Sequence, residues 1–186
     1  MNGKDVTVTC TGQNCVASVN ADIVRDPNDQ SQVQTAQEFK QASESYWNQQ
    51  TVTTPTGQTL TFDVKINIVS PGSENPNTDT LTVIAGPGRS EVKMKAHGPD
   101  TGKIYTVDTT NNQSGMRGIS PHETGHLMGL RDMYAKGEVV PHNPTPQGDI
   151  MRHAQPGNSP ITSFMVLRPS ANFNTKVISV PVPLPF

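Results

Sequence analysis

The sequence predicts an α+β fold, and three observations carry that expectation. In "TLTFDVKINIVS", Leu60, Phe62, Val64, Ile66 and Ile68 alternate with Asp63, Lys65 and Asn67. That period of two is the mark of a strand with one buried face. Upstream, Val33, Ala36, Phe39, Ala42 and Tyr46 recur at intervals of three and four as far as Trp47. With Pro27 and the cap residue Asp29 in front, this spacing predicts one long helix with an apolar stripe. Third, "TLTVIAG" reads as a further strand, and "EVKMKAHGPDTGKIYTVDTT" as a hairpin turning at Gly98 to Gly102. A twisted mixed β-sheet with a long backing helix accommodates this order.

At the N-terminus, "DVTVTCTGQNCVASVNADIV" predicts two short strands around a turn at Gly12-Gln13-Asn14. Cys10 and Cys15 flank that turn, and both a disulfide and two free thiols are compatible with it. A thiol metal site is not, because the chain has only 2 cysteines. The tail "VISVPVPLPF" alternates prolines and cannot be a central strand. A short helix is expected around Ile161 to Leu167.

The 186 residues suit a single domain over 1–186. Within it, 1–27 hold N-terminal strands, 28–134 the sheet and a second helix, and 135–186 a proline-rich C-terminal part. A net charge of −2 gives no electrostatic case for nucleic acid or an anionic membrane as partner. Charged residues make up only 16%, and the polarity comes from Thr, Ser, Asn and Gln, as in many exported bacterial proteins. No apolar run approaches the ~18 residues of a membrane span, and "MNGKDVTVTC" lacks a signal-peptide core. An abrupt start at a strand-like segment favours a processed or excised portion of a longer polypeptide, secreted or delivered outside the producing cell.

Chemistry concentrates in "PHETGHLMGLRDMY", residues 121 to 134. His122 and His126 are four apart, so a helix from Ser120 or Pro121 to Met128 would set both imidazoles on one face, where they can share a metal ion. Glu123 sits beside the first ligand, close enough to act on a water without ligating. Gly129 is suited to a positive φ that turns the chain sharply after the helix. That turn would bring Asp132 back toward the histidines as a third ligand; His142, Asp149 and His153 are its rivals. His97 belongs to the hairpin, and Met116 and Met128 to the core. "GPGRS" at 86–90 lacks the Gly-Lys-Ser/Thr ending of a phosphate loop, and "NQS" at Asn112 is an acceptor for glycosylation only in an exported eukaryotic protein.

The string His122-Glu123-x-x-His126-x-x-Gly129-x-x-Asp132 resembles the extended zinc signature of the metzincin metallopeptidases, with aspartate in place of the usual third histidine. That substitution, with Tyr134 two residues later, is similar to the snapalysin branch. "GDIM", ending at Met151, resembles the Met-turn beneath the metal in that clan. The resemblance covers about residues 28 to 165. It implies a single metzincin-like domain: a long helix, strands, an edge strand with its hairpin, then the zinc helix.

By resemblance the chain is a zinc-dependent endopeptidase. Zn2+ would be held by His122, His126 and Asp132, Glu123 would be the general base, and Tyr134 would assist the oxyanion. Zinc lowers the pKa of bound water from 15.7 toward roughly 7. A peptide substrate would lie extended along a sheet edge, expected at residues 80 to 85 or the neighbouring strand. Two other readings fit: a non-catalytic metal-binding interaction module, or the protease toxin domain of a larger bacterial polymorphic toxin with a cognate immunity or inhibitor protein as partner.

Aspartate donates more charge to zinc than neutral imidazole does, so the activated water should be less acidic than with three histidines. The acidic limb of the pH–activity profile is therefore expected at higher pH in the wild type than in Asp132→His. An unchanged or lower wild-type limb would contradict this.

Overall fold

A computed structural model describes residues 6–53, 57–95, 98–109, 115–130 and 178–180. Over these residues the chain is a mixed α+β structure: eight strands in one sheet and two helices. The strands are β1 (Val6–Thr11), β2 (Asn14–Val24), β3 (Thr51–Thr53), β4 (Thr59–Val69), β5 (Asp79–Gly88), β6 (Glu91–Lys93), β7 (Thr101–Asp108) and β8 (Ile178–Val180). Helix α1 (Gln30–Trp47) follows β2, and helix α2 (Met116–Leu127) follows β7. The main sheet order is β3-β4-β2-β5-β7-β6. Strands β4, β2, β5 and β7 run parallel, with β3 and β6 antiparallel at either end.

The N-terminal hairpin matches its sequence reading at the turn, with Thr11 opposite Asn14 and Gly12 at φ 61. Its second strand is longer than the short one expected. β2 lies at the centre of the sheet, pairing with β4 along its whole length. Its other edge is shared, by β1 up to Val19 and by β5 from Ala21 onward. Cys10 and Cys15 are cross-strand partners joined by a disulfide, with Cα atoms 4.0 Å apart. β8 pairs with β1 alone among the described strands, in keeping with a proline-flanked segment that cannot be central.

Helix α1 begins where Asp29 predicts. Its carboxylate accepts from the Ser31 and Gln32 backbone N–H groups at 2.9 and 3.3 Å, filling donors that the first helical turn leaves open. The Ser31 hydroxyl and those backbone bonds hold the Asp29 carboxyl below its ordinary pKa. The buried stripe is Ala36, Phe39, Ser43 and Trp47. Val33, Ala42 and Tyr46, expected in it, are only half-buried. Choosing Ser43 keeps intervals of three and four, so the stripe rotates slightly and takes the large indole inward.

β4 alternates as its sequence predicts, with Leu60, Phe62, Val64 and Ile66 buried. β3 covers only the start of its outer edge, from Thr59 to Thr61. Beyond that point α1 takes over as hydrogen-bonding partner. The Asn48 amide accepts from Val64 N–H at 2.7 Å and donates to Val64 C=O at 3.1 Å. Glu44 Oε1 accepts from Ile66 N–H at 2.9 Å, and Lys40 Nζ donates to Ile66 C=O at 2.7 Å. Lys40 and Glu44 also pair with each other. Three side chains one turn apart thus satisfy a strand edge that would otherwise invite another strand.

Two corrections concern the far side of the sheet. β5 is interior, bonded to β2 over Asp79–Thr82 and to β7 over Thr80–Gly88. The terminal strand is β6, so of the edges expected, residues 80 to 85 or the neighbouring strand, the sheet ends on the strand that follows, 91–93. β6 and β7 pair as an antiparallel hairpin, with Lys93 opposite Thr101. Gly102 is not in the turn; it lies within β7, where an added Cβ would stand 2.5 Å from Leu81 Cδ2 and 2.8 Å from the Glu91 carbonyl oxygen. Buried carboxylates secure this turn: Asp79 Oδ1 accepts from Asp100 N–H and Asp100 Oδ1 from Lys95 N–H, each at 2.6 Å.

Replacing Asn48 by alanine should strand the two backbone groups of the buried Val64. The expected loss is about 1–3 kcal/mol, read as a Tm lower by roughly 2–4 °C per kcal/mol for a chain of this size. An unchanged melting temperature would show that water substitutes for the amide without loss.

Candidate metal centre

Helix α2 carries both histidines, and it starts earlier than the sequence suggests. Its first turn opens at Met116, where the Gly115 carbonyl accepts from Gly118 and Ile119 N–H at 3.1 Å each. Pro121 therefore lies inside the helix, where it can donate no bond to the Arg117 carbonyl. Its own carbonyl takes the Trp47 indole N–H at 3.0 Å. Tertiary packing outweighs the proline penalty here, since every residue from Gly118 to Leu127 is buried.

The helix ends as Gly129 predicts. Gly129 adopts φ 80 and donates to the His126 carbonyl at 2.7 Å, while Leu130 N–H reaches the Gly125 carbonyl at 3.0 Å. This pair of bonds is the Schellman arrangement, and it needs a residue tolerant of left-handed backbone at the turn. The same turn swings the Leu130 carbonyl against the His126 ring, with Nδ1 to oxygen 2.8 Å. A carbonyl oxygen only accepts, so Nδ1 carries the hydrogen of this bond.

His122 and His126 face each other edge-on, ring centroids 4.8 Å apart and planes at 87°. Both are 7% exposed, and Glu123 beside them is 6% exposed. Two imidazoles on one helix face, one of them oriented by a backbone carbonyl at its Nδ1, suit a divalent metal of the zinc type. Among the described residues no group of three or more His, Cys, Asp or Glu forms around them. The expected third ligand Asp132 lies outside the described residues, as do its rivals His142, Asp149 and His153. Tyr134, Met151, His97, Asn112 and the segment 161–167 lie outside them too. Met128 is core as expected, whereas Met116 is only half-buried and packs against the core from outside.

The sequence reading missed the residues behind this helix. Ser43 and Thr124, both fully buried, share a hydroxyl–hydroxyl bond of 2.8 Å that ties α1 to α2. Trp47 makes the second tie, to Pro121. The predicted stripe already reached Trp47; drawn through Ser43 instead of Ala42 it would have found Ser43 too, at the cost of admitting a polar residue to an apolar face. β6 also approaches α2, so the sheet's edge borders the histidine helix.

No protein-family model matches the sequence, and a search of curated proteins returns no match.

Proposed function

We propose that the chain is a zinc-dependent endopeptidase with a metzincin-like domain, closest to the snapalysin type. The observation that carries this reading is the turn after α2. It caps the helix and holds the His126 ring by its Nδ1, edge-on to His122. The element order adds support. A long helix, then strands, then an edge strand with its hairpin, then the histidine helix is what the resemblance implies. No helix among the described residues is long and apolar enough to cross a membrane.

His122, His126 and Asp132 would hold zinc, with Met151 in the floor beneath. Bound there, zinc supplies Lewis acidity that makes water nucleophilic near neutral pH. Glu123, buried next to His122, takes the proton of the attacking water and passes it to the leaving amine. Tyr134 donates a hydrogen bond to the developing oxyanion. An extended peptide would add to the outer edge of β6, which ends the sheet order and lies beside α2. The Cys10–Cys15 disulfide suits an oxidising compartment, in line with a secreted or delivered protein.

Casein cleavage by zinc-loaded wild type and Glu123→Ala tests this reading. Loss of a general base should lower turnover by about 10²–10⁴-fold, with zinc content near one per chain in both proteins. Equal cleavage by both, or none by either across broad conditions, would favour a metal-binding module that turns nothing over.

A further inference from the structure

We propose that Ser43 and Trp47 of α1 are positioning residues for the metal pair, setting the rotation of α2 through two buried hydrogen bonds to the side of the helix away from the histidines. The proposal rests on the zinc reading above and adds to it residues that touch neither metal nor substrate.

The geometry follows from helix periodicity. At about 100° per residue, Thr124 lies roughly 160–200° around α2 from His122 and His126. The Ser43–Thr124 bond therefore grips the back of the helix between the two imidazoles in sequence. Pro121, whose carbonyl receives the Trp47 indole, immediately precedes His122. All three of Ser43, Trp47 and Thr124 are 0% exposed, so water cannot replace either bond without opening the core.

Helix α2 needs such support because its own sequence is poorly helical. Gly118, Pro121, Thr124 and Gly125 are all weak formers, and its N-cap Gly115 makes no side-chain bond. Apolar contacts alone would leave rotation soft, since burial is non-directional. Side chains reach roughly 5–6 Å from a helix axis, so a rotation of about 10° moves a ligand atom by ~1 Å. Zinc ligation tolerates ~0.2 Å. Two directional bonds at adjacent turns remove that freedom.

α1 itself cannot rotate to follow α2. Its neighbouring stripe, Lys40, Glu44 and Asn48, is bonded to the backbone of β4 at Ile66 and Val64. The helix is thus a bracket: one stripe registers it on the sheet, and the next registers the histidine helix on it.

The test measures zinc affinity by chelator competition and the visible absorption bands of the cobalt-substituted full chain, alongside the Tm of the metal-free protein. Thr124→Val and Ser43→Ala should each weaken zinc binding by about 10–100-fold, the range for partners that orient metal ligands, and should shift the cobalt bands. Thr124→Ser, which keeps the hydroxyl, should restore wild-type affinity and bands. The double variant should be no worse than either single, because both delete one bond. Trp47→Phe, which keeps a ring but loses the donor, should show the same signature more mildly and covers the case in which another variant fails to fold. A lower Tm with zinc affinity and cobalt bands unchanged in the folded protein would reduce these residues to packing and overturn the proposal. Wild type that takes up no zinc, or His122→Ala that takes it up equally, would overturn the zinc reading first and this proposal with it.

Discussion

Lys40, Glu44 and Asn48 hold the outer backbone of β4 at Val64 and Ile66, while Ser43 and Trp47 on the next stripe hold α2 at Thr124 and Pro121. Hydrophobic burial brings α1 onto the sheet, through Ala36, Phe39 and Trp47, but it does not choose a rotation. The polar bonds do, because each has a direction and each would leave a partly or fully buried group unsatisfied if it broke. The half-buried Lys40–Glu44 pair, still reached by solvent, contributes little as an ion pair. Its value lies in delivering a donor and an acceptor to one residue of a strand.

The same economy shapes the far side of the sheet. Asp79 and Asp100 accept backbone N–H groups of the β6–β7 turn, and Gly102 lets β6, β7 and Leu81 approach more closely than any side chain would allow. β6 is thereby held at the end of the sheet, beside the histidine helix. Further along the same edge of β2 that receives β5, the disulfide staples the hairpin whose outer strand receives β8. Both histidines sit on a helix with weak propensity of its own, placed by elements that are strongly tied.

How much of this was legible in the sequence depended on whether a residue acts locally. Asp29 and Gly129 act within a few residues of themselves, and their caps were readable from position and chemistry alone. The alternation of β4 was equally plain. Pro121 misled, because a local rule places proline in a first turn, whereas burial of the whole helix carries it further inside. Ser43, Thr124 and Asn48 went unread since their partners are 81 and 16 residues away. Residues 80 to 85 looked like an edge because the pairing of Thr80–Thr82 on both flanks is invisible in a single strand. His122, Glu123 and His126 were legible from spacing, and the structure adds what spacing lacks: the Leu130 carbonyl that orients one ring.

The central claim is that this framework presents His122 and His126 together to one ion. X-ray absorption at the zinc edge, recorded on the zinc-loaded chain, measures that most directly. The account predicts two imidazole nitrogens at about 2.0–2.1 Å with an oxygen ligand completing the protein set. A spectrum with one imidazole or none would contradict it.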